Sequence, residues 1–229
     1  MDTDKQTILL KLSGEFFALP ADKVHLHTQQ MVQLARHARL GIVVGGGNVF
    51  RGSQHGTQLG LPTDVGHEIG MLATLMNGKM LSSLLALHGQ PAHILSAVPC
   101  ATMQPISSET IANAFAHHNV IVFAGGTGNP FVTTDTAAVI RSLQIGATQL
   151  WKATTVDGIY DKDPRTNTDA KLLSSIRYEE AIAKQLGFMD LAALALAAQH
   201  KLSIRVFNYN AHNALEAART TSTFGSTLH

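Results

Sequence analysis

Short apolar runs alternate with longer amphipathic segments along the chain, and this alternation predicts the fold. Runs typical of buried strands lie at residues 7–12, 40–44, 92–97, 119–124, 147–152 and 203–207. Segments typical of helices lie at residues 21–39, 63–88, 107–117, 136–143, 177–185, 190–200 and 211–219. Strands that alternate with helices predict an α/β fold, a three-layer αβα sandwich around a central, mostly parallel sheet. We find no internal repeat and no linker, so residues 1–229 are expected to form a single domain.

The longest predicted helix, residues 63–88, is apolar on two faces. Leu72 and Met76 belong to one face, and Met71 and Leu75 belong to the other. A helix that is apolar on two faces is buried on two sides. Two explanations remain open for this helix: a contact between subunits, or a place in the centre of the core.

Composition and charge exclude several classes of protein. Of the 229 residues, 45% are hydrophobic and 14% are charged, which favours a packed core over disorder. The formal charge is +1 and no block of lysine or arginine occurs, so we expect neither nucleic acid nor a membrane surface as a partner. No apolar run approaches the length of a membrane span, and the single cysteine, Cys100, forms no disulfide framework, which together indicate a cytoplasmic protein. The 12 histidines lack metal-binding spacing, so no metal site is expected.

Two glycine-rich loops follow predicted strands. Three glycines at residues 45–47 follow the strand at 40–44, and the segment AGGTGNPFVTTDTAA at 124–138 overlaps the end of the strand at 119–124. Glycines let the backbone approach a ligand closely, and hydroxyl and free N–H groups at a helix start suit a phosphate. Arg51, four residues after the third glycine, adds a fork-shaped phosphate donor. The loops match neither a Walker A motif nor a GxGxxG fingerprint, and together they predict a site for a phosphorylated small molecule.

Two of the predicted strands carry a lysine near the carboxyl end. Lys11 in the first strand either extends to water or faces a ligand at that end of the sheet, where α/β proteins bind their ligands. The turn that follows, Ser13 and Gly14, favours the ligand. The strand at residues 147–152 ends on a second lysine.

Several aspartates have structural as well as functional interpretations. Asp135 precedes the helix at residues 136–143 and could cap it. Asp190 is expected to cap the helix at 190–200, with Met189 and Leu194 as a hydrophobic staple. The aspartates of the segment 153–164 either shape turns or contact a ribose or a metal.

Seven motifs, in this order along nearly the whole chain, resemble those of the bacterial-type UMP kinases of the amino acid kinase superfamily. They are KLSGE at residues 11–15, GGGNVFRG at 45–52, GMLATLMNG at 70–78, TGNPFVTTDTAA at 127–138, KAT at 152–154, VDGIYDKDP at 156–164 and LSIRVFN at 202–208. The first two resemble the superfamily broadly. The TGNPF-x-TTD-x-AA stretch is similar to UMP kinases rather than to aspartate, glutamate or carbamate kinases.

The resemblance implies transfer of the γ-phosphoryl group of ATP to UMP, with Mg²⁺, by a homohexamer. The catalytic residues would be Lys11 and Asp135, with Asp135 orienting Lys11 through a charged hydrogen bond rather than taking a proton. The residues that would bind ATP are Lys11, Leu12, Ser13, Gly14, Gly47, Arg51, Thr154, Tyr160 and Asp163. The residues that would bind UMP are Gly46, His67, Thr127, Gly128, Asn129, Pro130, Phe131, Val132, Thr133 and Thr134. A nucleoside monophosphate suits a site without a general base, since its phosphate is mostly dianionic at pH 7.

The chain departs from the family pattern at a few positions. His67 stands where the family usually has an aspartate that contacts the UMP ribose. Ser82, Ala86 and His93 stand where members activated by GTP tend to have basic residues, and the segment between the first two motifs is shorter than in those members. We therefore expect weak or absent activation by GTP.

Two other functions remain open at this stage. A kinase of the same fold could act on a different small phosphate or acid, which the change at His67 favours. A non-catalytic protein could use the scaffold to bind a nucleotide or oxyanion. The presence of Lys11, Arg51, Asp135 and Asp163 together argues against the second alternative.

Overall fold

A nine-stranded sheet runs through the middle of the protein, for which the computed structural model describes residues 5–229. Its strands in spatial order are β4 (Gln104–Pro105), β3 (His93–Ser96), β5 (Val120–Ala124), β2 (Arg39–Val44), β1 (Thr7–Leu12), β6 (Gln149–Thr154), β10 (Ser203–Asn208), β11 (Ser226–Leu228) and β9 (Ser175–Ile176). Neighbouring strands are parallel except for β10 and β11. A separate antiparallel pair joins β7 (Ile159–Tyr160) to β8 (Leu172–Leu173).

Helices cover both faces of the sheet. They are α1 (Ala21–His37), α2 (Thr63–Leu87), α3 (Ser108–His117), α4 (Thr134–Gln144), α5 (Tyr178–Ala183), α6 (Leu191–Gln199) and α7 (Ala214–Thr220). Alternate residues of β1 enter two separate hydrophobic clusters: Ile8 and Leu10 pack in the cluster that includes α1, α2 and α7, and Leu9 packs in the cluster that includes α3 to α6. The predicted three-layer α/β sandwich with a mostly parallel sheet is confirmed.

Every strand and helix that the sequence predicts is present, and no end is displaced by more than three residues. The short strands β4, β7, β8, β9 and β11 were not predicted, because two or three residues are too few to show an alternating pattern. Asp190 caps α6 as expected, since its carboxylate accepts a hydrogen bond from the amide of Ala193 at 2.8 Å. Met189 and Leu194 are both buried in the same cluster, as a staple requires.

Helix α2 packs on the sheet with one face only. Leu81 and Leu85 are fully buried, whereas Leu72, Met76 and Met80 are 55%, 60% and 46% exposed. A place in the centre of the core, one of the two explanations left open for this helix, is therefore wrong, and a contact between subunits stays a prediction. An apolar face of α2 is left open to a second surface.

The expectation that no segment approaches a membrane span is also wrong for α2. The helix has 25 residues and contains a window of mean hydropathy 1.2, so it is long and apolar enough to cross a membrane by length and composition alone. The helix nevertheless packs against β3 and β5 and contributes to the core on that side of the sheet, and core helices of globular proteins meet the same description. We therefore assign α2 to the outer layer of the sandwich.

Helix α3 provides a test of the local folding signals. The hydroxyl of Ser107 accepts a hydrogen bond from the amide of Thr110, and the hydroxyl of Thr110 accepts one from the amide of Ser107. This capping box satisfies two amides at the start of the helix. We predict that Ser107→Ala lowers the free energy of unfolding by about 1 kcal/mol, measured by urea denaturation.

The neighbouring Ser108→Ala is the matched control, because Ser108 is equally exposed and lies just inside the helix. It should change the unfolding free energy by less than about 0.5 kcal/mol. Equal effects of the two substitutions would show that the capping box does not stabilise α3.

Candidate active site

Two lysines stand side by side at the carboxyl ends of adjacent parallel strands. Lys11 of β1 is in register with Lys152 of β6, so both side chains point to the same face of the sheet. Lys11 follows Leu9 by two residues and therefore faces the layer that contains α4. Two ammonium groups placed this close repel each other unless an anion lies between them.

Asp135, at the start of α4, supplies that anion. Its Oδ1 lies 2.8 Å from Nζ of Lys11 and its Oδ2 lies 2.7 Å from Nζ of Lys152. Lys152 donates an aligned hydrogen bond, whereas the Lys11 contact is an ion pair without hydrogen-bond alignment. The three side chains are only 10–12% exposed. We call Lys11, Asp135 and Lys152 the charged triad.

The cap of α4 determines where Asp135 points. The hydroxyl of Thr133 accepts a hydrogen bond from the amide of Asp135 at 3.0 Å, so Thr133 is the N-cap and Asp135 is the second helical residue. The possibility that Asp135 itself caps this helix is therefore wrong. Its carboxylate is free to face the lysines and also benefits from the positive end of the helix dipole.

The charged triad changes the acidity of its members. Burial by itself would raise the pKa of Asp135, but the charges of Lys11 and Lys152 outweigh it and hold that pKa well below its usual range. Burial lowers the pKa of Lys152 to about 8, against the opposing attraction of Asp135. Asp135 is thus an anion throughout the neutral range and cannot act as a proton acceptor there.

A cavity of about 630 Å³ opens above the charged triad. We call it the large cavity. Among the residues predicted to bind ATP, those that line it are Lys11, Ser13, Gly14, Gly47, Arg51, Thr154, Tyr160 and Asp163. Leu12 does not line it, because its side chain points to the opposite face of the sheet and is buried in the core with α1 and α2.

Backbone segments meet closely at the floor of the large cavity. A Cβ atom on Gly14 would lie 2.5 Å from the amide nitrogen of Gly47, so only glycine allows the turn after β1 to touch the glycine loop after β2. Ser13 adds a buried hydroxyl with no hydrogen-bond partner in the described structure. Arg51 reaches back to Gly47, where its Nε donates to the carbonyl at 3.3 Å, and its Nη2 pairs with Glu15 at 2.6 Å.

The outer wall of the large cavity is built by the aspartate-rich segment after β6. Asp163 accepts hydrogen bonds from the side chain and the amide of Arg165, with distances of 2.9 to 3.0 Å, and so shapes a turn. Of the two roles left open for the aspartates of this segment, Asp163 has the turn-forming one, and its contact with a ligand stays a prediction. Arg165 and Lys162 add positive charge to this wall.

A second cavity of about 230 Å³, the small cavity, lies beside the first. Among the residues predicted to bind UMP, those that line it are Gly46, His67, Thr127, Asn129, Val132, Thr133 and Thr134. Gly128, Pro130 and Phe131 belong to the same loop but do not line it. Gly46, Gly47 and Thr134 line both cavities, so the two spaces adjoin at the glycine loop and the start of α4.

Asp190 holds the loop between the two cavities. Besides capping α6, its carboxylate accepts hydrogen bonds from the hydroxyls of Thr133, at 2.5 Å, and Thr136, at 2.8 Å. The cap residue of α4 is thereby tied to the cap residue of α6. The sequence predicts only the capping role of Asp190, because a loop anchor more than fifty residues away leaves no local signal.

Asn77 of α2 holds the glycine loop from the other side. Its Nδ2 donates to the carbonyl of Gly45 at 2.6 Å and to Oδ1 of Asn48 at 2.7 Å. Asn77 is 1% exposed, so this amide is one of the few buried polar groups of α2. The position of the glycine loop therefore depends on α2.

Lys152 is the main functional residue that the sequence does not place in the site. The sequence shows a lysine at the end of this strand, but its register with Lys11 depends on which strands are neighbours. Lys152 also donates to the carbonyl of Phe188, which fixes it from the side of the loop before α6. Among residues 5–229, no group of three or more histidine, cysteine, aspartate or glutamate side chains is placed to hold a metal ion.

Comparison with known proteins agrees with this geometry. The model of the amino acid kinase family matches residues 6–208. A uridylate kinase from Yersinia enterocolitica is 42% identical over 220 residues, 92% of this chain and 88% of that protein, and one from Psychrobacter is 39% identical over 218 residues, 91% and 90% of the two chains. The crystal structure of a UMP kinase from Ureaplasma parvum has a TM-score of 0.91 at 28% identity and covers 99% of both chains. The crystal structure of a UMP kinase from Bacillus anthracis has a TM-score of 0.90 at 26% identity and covers 98% of this chain and 96% of that chain. This chain therefore belongs to the amino acid kinase family.

Proposed function

We propose that this protein transfers the γ-phosphoryl group of ATP to UMP, giving ADP and UDP. The observation that carries the proposal is the charged triad, which lies beside the residues that line both cavities, Gly46, Gly47 and Thr134. We call these three residues the shared wall. Phosphoryl transfer between two nucleotides requires that two polyanions meet in line while positive charge neutralises the group in transit. The similarity to uridylate kinases over more than nine tenths of the chain supports UMP as the acceptor.

The two cavities differ in ways that suggest which nucleotide each one takes. The large cavity has room for a nucleoside triphosphate, and its lining residues include more cations than anions. The cations are Lys11, Arg51, Lys152, Lys162, Arg165 and Lys184, and the anions are Glu15, Asp161 and Asp163. Among the described residues that line the small cavity there is no lysine, arginine, aspartate or glutamate. We assign ATP to the large cavity and UMP to the small one, with both phosphate ends directed to the shared wall.

The residues of the charged triad act by electrostatics rather than by proton transfer. The phosphate of UMP is already mostly dianionic at pH 7, so it attacks without losing a proton to the enzyme. The ammonium groups of Lys11 and Lys152 stabilise the negative charge that the transferred group spreads over its oxygens. Asp135 holds both ammonium groups in place, which agrees with the orienting role proposed for it from the sequence, but it meets Lys11 as an ion pair rather than through the charged hydrogen bond that was expected.

Magnesium fits this site as a companion of ATP. Both carboxylate oxygens of Asp135 already face lysines, so the charged triad provides no free acidic ligand. Ser13 lines the large cavity, and its hydroxyl has no hydrogen-bond partner among the described residues. Mg²⁺ usually keeps several waters and is held largely by substrate phosphates, and when bound it would neutralise charge on the β- and γ-phosphoryl oxygens.

The other two functions considered gain no support from the site. Two lysines converging on a wall between two cavities are not needed for simple nucleotide or oxyanion binding. A different acceptor finds no observation in its favour beyond the change at His67.

The use of ATP together with a free, partly buried Cys100 is consistent with the reducing cytoplasm.

We further propose that the chain assembles as a homohexamer, in which the exposed apolar face of α2 is an interface between subunits. The face is formed by the exposed side chains of Leu72, Met76, Met80 and Leu87. Because Asn77 links the buried face of the same helix to the glycine loop, assembly and site geometry would be coupled.

The first prediction concerns the substrate and Lys11. In an assay coupled to ADP release, UMP should be phosphorylated in preference to CMP, dUMP and small carboxylic acids.

Lys11→Ala should lower kcat at least about 100-fold, because it removes a cation next to the transferred group.

The exposed Lys23→Ala on α1 is the control for loss of a lysine and should keep normal activity. Circular dichroism should show that both variants are folded. Near-normal kcat in Lys11→Ala would contradict the proposed mechanism.

The pH dependence of the reaction should report Lys152. Its lowered pKa means that it is charged below about pH 8 and neutral above it, so kcat/KM for MgATP should fall as pH rises through about 8. Lys152→Arg keeps its charge, so its profile should lack this decline even if its rate is lower. A wild-type profile that stays flat well above pH 8 would rule out this role for Lys152.

The assembly prediction is tested on the face of α2. Met76→Glu together with Met80→Glu should yield smaller species in sedimentation velocity, because charges would be buried in the interface. Leu26→Glu is the control, since Leu26 is an equally exposed apolar residue on α1. A hexamer in both variants would place the interface elsewhere.

A further inference from the structure

One hydrogen bond joins the middle of the loop after β5 to helix α2. The backbone amide of Phe131 donates to Nδ1 of His67 at 2.6 Å. The two rings also meet edge to face, with centroids 5.6 Å apart and planes at 71°. Because an amide is the donor, Nδ1 carries no proton, and the neutral imidazole bears its proton on Nε2.

Phe131 has an unusual backbone conformation for its residue type. Its φ is +68°, in the left-handed region that non-glycine residues rarely adopt. Phe131 as a whole is 69% exposed, so packing in the core does not keep the residue in this conformation. A strained conformation of this kind persists only where surrounding contacts impose it. In the described structure, the hydrogen bond from the amide of Phe131 to His67 is one such contact.

The loop is held at different points by different partners. Asp190 fixes its end through Thr133, and the hydroxyl of Thr127 holds its beginning, where it accepts from the amide of Asn129 at 3.0 Å. His67 fixes the part between these points. His67 also lines the small cavity, together with Thr127 and Asn129 on the facing loop. The distance between the two walls of the small cavity therefore depends on the bond between His67 and Phe131.

We propose that His67 is a positioning residue for the acceptor nucleotide: its unprotonated Nδ1 holds the amide of Phe131 and thereby sets the width of the small cavity. The proposal rests on the proposed function, in which UMP occupies that cavity. His67 lies apart from the charged triad and lines only the small cavity. It acts on binding of the acceptor and leaves the transfer step unchanged.

Two substitutions separate the acceptor atom of His67 from the rest of the ring. His67→Asn keeps a hydrogen-bond acceptor on the atom attached to Cγ, where Nδ1 stands, and removes the remainder of the imidazole. His67→Ala removes the acceptor as well. Glu68→Ala is the control, because Glu68 is the next residue on α2 and is exposed.

The expected result is a selective loss of affinity for the acceptor. His67→Ala should raise KM for UMP about tenfold, which corresponds to one lost hydrogen bond, while kcat and KM for ATP stay within about twofold. Titration calorimetry with UMP alone should show the same loss in Kd. His67→Asn should recover most of the affinity, and Glu68→Ala should match the wild type.

Each of the other outcomes would contradict a specific part of the proposal for His67. An unchanged KM for UMP in His67→Ala, or a fall in kcat instead, would overturn the positioning role. Equal losses in His67→Asn and His67→Ala would show that the ring, rather than its acceptor atom, matters. If the wild-type protein does not phosphorylate UMP at all, the proposed function itself fails, and calorimetry of UMP binding still decides whether His67 shapes the small cavity.

Discussion

The buried carboxylate of Asp135 between Lys11 and Lys152 is the interaction on which the rest of the site depends. Parallel pairing of β1 with β6 places two ammonium groups on one face of the sheet, where they would repel each other without an anion. The start of α4 brings that anion to within 2.8 Å of both lysines. The three side chains are only 10–12% exposed, and such low exposure strengthens these interactions and would strengthen those with any phosphate that enters.

The loops around the charged triad are held by polar residues that do not belong to it. Asp190 ties the start of α4 to α6, and Asn77 ties the glycine loop to α2. These contacts keep the wall between the two cavities in place, and both come from helices on the outer layers. A reaction that depends on in-line placement of two phosphates is sensitive to such supports, since small misplacements lower the rate strongly.

The sequence predicts the layers of this fold well because apolar periodicity and glycine position are local signals. It also indicates the two loops, Lys11 and Asp135. It does not show that Lys152 stands beside Lys11, because this depends on strand order, nor that Asp190 anchors Thr133, because the two residues are distant along the chain. The sequence could not choose between the two explanations for the apolar faces of α2, because a face exposed on the single chain has the same pattern as one that is buried in the core.

The central claim is that phosphoryl transfer occurs where the two cavities adjoin, beside Lys11 and Lys152. A crystal structure with a bisubstrate analogue, in which adenosine and uridine are joined by a chain of phosphates, tests it most directly. We expect adenosine in the large cavity, uridine in the small cavity beside His67, and the linking phosphates within hydrogen-bond distance of both lysine Nζ atoms. Phosphates bound away from Lys11 and Lys152, or both nucleosides in one cavity, would contradict the account.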